Sequence, residues 1–312
     1  MQNVGKGLEN SGAGPGPPAR SWWQRLEAWG HYCFYLTLRL FGRTGGYLLL
    51  LPVVAVYLLG SREIHRRIRP YLRRRFPELN RWRLWLATGK IVHSFGRVLV
   101  DRAWLGTGRG RTLEGETIGY ERLLKLVSKG QGAVLLTAHV GNWQTALAHL
   151  EQLPVPVHAL MHYDREAAAK HYFDLGQGRR PFHIISTDGP LGGMVEATAA
   201  LQRGEVVTIM GDRLVKGSSV SVDFLGDPVR LPDAAYVLAG CVGAPVVAMF
   251  AAKTGRRSYL LRIRDIWYPG WQEREQRAEA CRQSAARFAR NLQEHVDEYP
   301  YQWYNFYDFW QQ

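Results

Sequence analysis

Beyond about Gly106, short apolar runs alternate with longer segments in which apolar residues recur every three or four positions. The short runs, bounded by polar or turn-forming residues, predict buried strands, and the longer amphipathic segments predict helices. We predict strands at residues 133–137, 155–160, 182–186, 205–210, 220–224, 245–252 and 259–266. We predict helices at residues 120–128, 143–153, 165–175, 191–202, 232–242 and 273–298.

This alternation of strands and helices is typical of an α/β fold. Strands joined by helices of this length favour a largely parallel central sheet flanked by helices on both faces. A chain of 312 residues is long enough to bury such a core and to carry an accessory region. We therefore predict an α/β domain over residues 106–312, preceded by a separate helical region over residues 21–105.

The first part of that helical region is an apolar, aromatic-rich block from Trp22 to Gly60. Its segment 47–59 contains no charged residue. At about 1.5 Å rise per residue this segment is shorter than the roughly 20 residues that cross a bilayer, whereas residues 32–59 suffice with a tilt. We predict a membrane-seated helical segment, either one span or a re-entrant hairpin, in preference to a buried core helix.

A strongly basic segment follows immediately. It predicts an amphipathic helix that an anionic membrane surface attracts, at about 1 kcal/mol per basic residue; the alternative is an ordinary solvated helix face. Its arginines are Arg62, Arg66, Arg67, Arg69, Arg73, Arg74, Arg75, Arg81 and Arg83.

The whole chain is basic, with a net charge of +13 and a pI near 9.9. Such a charge indicates a polyanionic partner: nucleic acid, an anionic membrane or a phosphorylated substrate. Because the basic segment adjoins the apolar block and no nucleic-acid recognition module accompanies it, the membrane is favoured and nucleic acid is not.

Residues 1–20 are rich in Gly, Ser and Pro, so we predict a disordered tail rather than a secretory signal. The three cysteines, Cys33, Cys241 and Cys281, are far apart and form no CxxC pair. This spacing indicates neither a disulfide framework nor a zinc site, and it favours a reducing compartment.

Four polar stretches follow or flank the predicted strands, and we place them in loops at strand ends, where open α/β sheets build their sites. They are His139–Gln144 (His-Val-Gly-Asn-Trp-Gln), His162–Arg165, Gly211–Arg213 and Phe224–Pro232. Together with the C-terminal Tyr301-Gln302-Trp303-Tyr304, and in this order, they resemble the lysophospholipid acyltransferase superfamily, in particular its bacterial branch of lipid A late acyltransferases. The resemblance extends from Trp22 to the C-terminus.

The resemblance implies transfer of a fatty acyl group from a thioester, either acyl carrier protein or acyl-coenzyme A, to a hydroxyl or amine of a lipid or glycolipid. It also implies residence at a bacterial inner membrane, with the catalytic domain on the cytoplasmic side. A basic surface suits both donors, because acyl carrier proteins are acidic and coenzyme A carries phosphates. No metal site and no cofactor besides the acyl donor is expected.

His139 is the candidate general base, a role that typically contributes about 10²- to 10⁴-fold to a rate. The base needs a partner on its other ring nitrogen, preferably a carboxylate. The family motif has an acid where this chain has Gln144, which carries no charge. Asp212 is the predicted substitute, provided that its strand neighbours the strand before His139. Otherwise the chain is a non-catalytic, lipid-binding relative.

The remaining candidates are assigned to substrate binding or to the shape of the site. Arg165 and Arg213 suit phosphate groups, because a guanidinium pairs with two phosphate oxygens and stays charged. Asn142 is expected to order the His139 turn. Gly226 and Arg230 lie in the stretch that resembles the family's acceptor-side loop, and Pro232 is expected to begin a helix. With no GxSxG elbow and no cysteine beside His139, direct transfer is simpler than a covalent acyl-enzyme.

Overall fold

A computed structural model describes residues 22–105, 113–142, 150, 153–162, 182–188, 190–214 and 217–311 of the chain. The predicted tail, the helix predicted at 165–175, most of that predicted at 143–153, Gln144 and Arg165 lie outside the described residues.

Three helices come first in the described part of the chain, and strands and helices alternate after them. The helices are α1 (Trp22–Gly60), α2 (Arg62–Arg75), α3 (Arg81–Trp104), α4 (Tyr120–Val127), α5 (Met194–Gln202), α6 (Ala234–Val242) and α7 (Arg277–Glu298), with short 3-10 turns at Pro190–Gly193 and Arg274–Gln276. The strands are β1 (Glu114–Ile118), β2 (Ala133–Thr137), β3 (Val157–Met161), β4 (His183–Ser186), β5 (Val206–Met210), β6 (Ser219–Phe224), β7 (Asp227–Pro232), β8 (Val246–Lys253) and β9 (Ser258–Trp267).

Within the described residues, seven strands form one sheet in the order β1-β9-β8-β2-β5-β3-β4. Strands β8, β2, β5, β3 and β4 run parallel to one another. Strand β9 pairs antiparallel with β8, and β1 pairs parallel with β9. The predicted α/β class with a largely parallel sheet is therefore confirmed. Strand β1 was missed because Glu-Gly-Glu-Thr-Ile is polar, which suits its exposed place at the sheet edge.

The two faces of the sheet bury separate apolar cores. In β2, Val134 and Leu136 pack with α5, α6, α7 and part of α2 and α3, whereas Ala133 and Leu135 pack with α4. Successive side chains of a strand point to opposite faces, so a fully apolar strand serves both layers. This explains why β2, β5 and β8 read as continuous apolar runs.

The prediction of a loop at Phe224–Pro232 was wrong in part. Residues 219–232 form an antiparallel hairpin, β6–β7, outside the main sheet. Its turn is made by Leu225 and Gly226, both with positive φ, as a two-residue hairpin requires. Pro232 ends β7 rather than beginning a helix, because it pairs with Ser219 and α6 starts only at Ala234.

The apolar N-terminal helix α1 bends at Gly42, where the backbone is not helical. One face of α1 packs on α3: Leu50 lies against Gly96, and Gly46 lies close to Val100. Its other face exposes large apolar side chains, among them Leu40, Phe41, Leu48, Val56 and Leu59. Tyr32–Gly60 is long and apolar enough to cross a membrane, and only 22% of its most apolar window is buried. It is a candidate membrane segment that also packs on α3.

Candidate active site

The site lies where two neighbouring parallel strands end. β2 and β5 pair in register from Ala133 with Val206 to Thr137 with Met210. Beyond their ends, Gly211 N donates to Thr137 O at 2.8 Å, which keeps the two chains adjacent. His139 and Asp212 each lie two residues beyond their strand, so the register brings them together. Asp212 was predicted as the partner of His139 on the condition that its strand lies beside the strand before His139. The pairing of β2 with β5 meets that condition.

Two hydrogen bonds join the residues directly. Asp212 Oδ1 lies 2.8 Å from His139 Nδ1, and Asp212 Oδ2 accepts from the His139 backbone N–H at 2.9 Å. The carboxylate is 1% exposed and the imidazole 29% exposed. A buried anion therefore holds one ring nitrogen while the rest of the ring reaches the surface of the site.

Two aromatic residues from the C-terminal segment complete the surroundings of Asp212. Trp303 Nε1 donates to Asp212 Oδ2 at 3.0 Å, and the Tyr307 hydroxyl donates to the Asp212 carbonyl at 2.7 Å. Burial by itself would raise the pKa of Asp212, but the His139 and Trp303 contacts hold that pKa below its ordinary value. Since the carboxylate is ionised, it needs a donor at Nδ1, which leaves the Nε2 lone pair free to accept a proton.

The C-terminal segment is held against the His139 turn by main-chain hydrogen bonds. Gly141 N donates to Gln302 O at 3.0 Å, and Tyr304 N donates to His139 O at 2.8 Å. On its other side, the Gln302 side chain bonds both the N–H and the C=O of Lys253, at the end of β8. Gln302 and Trp303 thus bridge the ends of β2 and β8, which gives the Gln-Trp block a structural role.

Gly141 is the position where the turn tolerates no side chain. Its φ is +52°, and a Cβ there would collide with the Ala251 carbonyl group. The close approach of the two backbones holds His139 beside the end of β8. A left-handed residue in such a place is normally glycine.

We expect Gly141→Ala to cost about 1–3 kcal/mol of unfolding free energy for the positive φ and about 1–3 kcal/mol more because the new Cβ must displace the Ala251 carbonyl group. The same displacement should reduce activity by moving His139. Chemical denaturation and initial rates measure the two effects. Gly217→Ala is the matched control, since Gly217 also has positive φ but open space around it. Equal losses for both variants would contradict a special role for the close approach at Gly141.

The other predicted residues are distributed around this pair. Asn142 is 1% exposed and lies close to the Tyr259 hydroxyl, behind the His139 turn. Arg213 is exposed and lies over the Tyr307 ring at 4.8 Å. Gly226 forms the hairpin turn, and Arg230 donates to Ser219 Oγ at 2.9 Å. Within the described residues, Arg230 makes no hydrogen bond or ion pair to His139 or Asp212.

Sequence reasoning missed the roles of Trp303 and Tyr307 and a buried polar cluster behind the turn. In that cluster Asp101 of α3 is 0% exposed and accepts from Tyr47, Lys253 and Tyr259. The high aromatic content of residues 299–310 was a sequence signal that could have indicated the roles of Trp303 and Tyr307. Asp101 stands in an unremarkable stretch of α3, so only its burial reveals it.

Comparison with known proteins bears on what this arrangement does. The model of a family described as bacterial lipid A biosynthesis acyltransferase matches residues 88–312, which confirms the resemblance drawn from the motifs. A phosphatidylinositol mannoside acyltransferase of Mycobacterium tuberculosis is 28% identical over 151 residues. That alignment covers 44% of this chain and 44% of the relative's length.

Proposed function

We propose, from the premise that this chain belongs to the bacterial lipid A biosynthesis acyltransferase family, that it transfers a fatty acyl group to a hydroxyl or amine of a lipid or glycolipid. The donor in this proposal is a thioester of acyl carrier protein or coenzyme A. The observation that carries the proposal is the hydrogen bond between His139 Nδ1 and the buried Asp212 carboxylate.

In the proposed reaction His139 is the general base. Its Nε2 takes the proton of the acceptor O–H or N–H while the acceptor atom attacks the thioester carbonyl carbon. The carbon–sulfur bond then breaks, and the departing thiolate receives that proton from the imidazolium. Asp212 keeps Nδ1 protonated and stabilises the imidazolium in between, as the carboxylate of a catalytic triad does. At the end of the cycle the His139 and Asp212 side chains have returned to their starting protonation states.

Gln144 supports the alternative, a lipid-binding relative without catalysis, since the family motif has an acid there. The His139–Asp212 pair weakens that alternative, because a charged partner for the imidazole is already in place. We therefore assign the relay to His139 and Asp212. Gln144 stays a proposed catalytic residue, at the position of the family motif's acid, and Arg165 and Arg213 stay proposed substrate-binding residues.

For location, we propose the cytoplasmic side of the inner membrane. The exposed apolar face of α1 supports seating in a bilayer. The arginine-rich α2 directly after it suits the anionic cytoplasmic leaflet.

We expect His139→Ala to lower acyl transfer about 10²- to 10⁴-fold, because the general base is lost. The assay follows a labelled acyl group from acyl carrier protein or coenzyme A into a total membrane lipid extract. His183→Ala is the matched control, because His183 is an exposed histidine on β4; its activity should be unchanged. The labelled product identifies the acceptor.

Gln144→Glu separates the two readings of the chain. If the wild type transfers the acyl group and His139→Ala transfers much less of it, the result supports the proposal that the chain is an enzyme. A wild type that is silent with both donors, combined with activity in Gln144→Glu, would show instead that the natural protein has lost catalysis.

A further inference from the structure

A groove lined by arginines lies between α2 and the C-terminal segment, with a volume of about 590 Å³. Arg62, Arg66, Arg69 and Arg73 line it from α2, and Trp310 lines it from the opposite side. The four arginines are spaced at i, i+4, i+7 and i+11, so the helix presents all of them on one face.

The charges of the groove are only partly neutralised. Arg66 pairs with Glu63, and Arg74, the fifth arginine of the lining, pairs with Asp227. Within the part of the chain that the structure describes, Arg62, Arg69 and Arg73 have no ion-pair partner. They face a single lining carboxylate, Asp308, so three guanidinium groups without partners converge on a concave surface. Planar guanidinium forks match the oxygens of a phosphate.

The groove is connected to the proposed catalytic pair through packed rings. Arg74 lies over the Trp310 ring at 4.1 Å, and Trp310 packs edge-on against Trp303 at 6.4 Å between centroids. Trp303 in turn donates to Asp212. Two packed tryptophan rings, Trp310 and Trp303, therefore join the groove to the Asp212 carboxylate.

The position of the groove indicates a ligand that comes from the membrane. It lies at the end of the candidate membrane segment, where His65 Nε2 lies 2.8 Å from Leu58 O. His65, which lines the groove, stacks on Trp85, and Trp85 stacks on Trp82, which is 63% exposed. Exposed tryptophans of this kind suit the headgroup layer of a bilayer.

We propose that this groove binds a phosphate ester on the headgroup of the acceptor lipid and so positions the acceptor for His139. The inference rests on the proposed function and deepens it, because it names the side chains of α2 that hold the headgroup of the acceptor. The donor's phosphates bind elsewhere in this proposal.

The test measures binding of dihexanoyl-phosphatidylglycerol, below its micelle concentration, to the full chain in neutral detergent by calorimetry. We expect binding at one site and a loss of about 10- to 100-fold in Arg69→Gln/Arg73→Gln, since charge-assisted hydrogen bonds are removed while the alkyl stems that pack the groove remain. Arg277→Gln/Arg290→Gln is the charge-matched control, because both arginines are exposed on α7, and it should bind like the wild type. Coenzyme A should not displace the lipid.

Three results would overturn the proposal. Displacement by coenzyme A would assign the groove to the donor. An equal loss in Arg277→Gln/Arg290→Gln would show an effect of general surface charge, and unchanged binding in Arg69→Gln/Arg73→Gln would show that the groove is not the site. His139→Ala separates this proposal from the proposed function, because it should bind the lipid normally. If the wild type binds the lipid through the groove but transfers no acyl group, only the catalytic proposal is refuted. In an active wild type, the paired Gln variant should raise the acceptor KM and leave kcat nearly unchanged.

Discussion

Replacement of Asp212 by Asn is expected to lower acyl transfer by about 10⁴-fold, the loss seen when an amide replaces the carboxylate of a catalytic triad. Asp212 accepts three hydrogen bonds on its two oxygens: from His139 Nδ1, from the His139 backbone N–H and from Trp303 Nε1. An asparagine has only one oxygen. Its NH₂ group must therefore face one of these donors.

The conflict has a direct consequence for the tautomer of His139. If the Asn NH₂ group faces Nδ1, the ring nitrogen must become an acceptor, and the proton moves to Nε2, where the base is required. If it faces the other two donors, the turn or Trp303 must shift. Either rearrangement removes the base from its working state, so kcat should fall more than the acceptor KM rises.

Asp265→Asn is the matched control for this variant. Asp265 is a partly buried carboxylate that pairs with Arg287 and Asn291, remote in its contacts from His139. Loss of the Asp265 carboxylate should lower the unfolding free energy without lowering kcat. Retention of more than about a tenth of the wild-type rate by Asp212→Asn would exclude Asp212 from the relay. Recovery of activity on adding Gln144→Glu would show that a second carboxylate can serve the same imidazole.

Asp101→Ala should be the most destabilising substitution in the region behind the site, at about 3–5 kcal/mol of unfolding free energy, because it leaves a buried cation without its partner. Asp101 Oδ2 lies 2.5 Å from Lys253 Nζ, and Tyr47 donates to Oδ1 at 2.5 Å. The side chains of the ion pair are 0% and 3% exposed. Unfolding by denaturant in detergent measures the loss.

Two further measurements distinguish this cause from simple loss of packing. The double variant Asp101→Leu/Lys253→Met should recover part of the stability, because the buried ammonium is removed together with its partner. The recovery is not complete, because the buried Arg43, which also pairs with Asp101, keeps its charge. Burial already lowers the pKa of Lys253, and loss of Asp101 lowers it further below its unfolded value. The unfolded state then binds the additional proton, so the deficit of Asp101→Ala should shrink as pH rises. A deficit as small as that of Glu279→Ala, which breaks an exposed pair, would contradict the prediction.

The two aspartates are connected through the same turn. Asn142 follows Gly141 and lies close to the Tyr259 hydroxyl, and that hydroxyl donates to Asp101. Burial and the nearby Asp101 charge raise the pKa of Tyr259, so the hydroxyl stays protonated and remains a donor. Tyr47 and Arg43 attach the apolar helix α1 to the same carboxylate. The candidate membrane segment and the His139 turn therefore share one buried support.

The fold class followed from sequence because buried parallel strands must be apolar on both faces, and β2, β5 and β8 are. The hairpin β6–β7 was only half predicted. Asp-Pro-Val-Arg-Leu-Pro alternates in a way that suits a strand, but two prolines and an adjacent glycine read as a loop when the partner strand is unknown. The polar edge strand β1 was invisible for the same reason: its strand character depends on pairing with β9.

By itself the sequence determined the family, the apolar and basic N-terminal region, and His139 as the candidate base, because these depend on local composition and motif spacing. The sequence predicted Asp212, 73 positions away, as the partner of His139 only on a condition, and the tertiary structure decided that condition, since the pairing depends on strand order and register. Only the tertiary structure placed Trp303 over Asp212 and Lys253 against Asp101. A buried charge is recognised by what surrounds it in space, and the pattern along the chain does not contain that information.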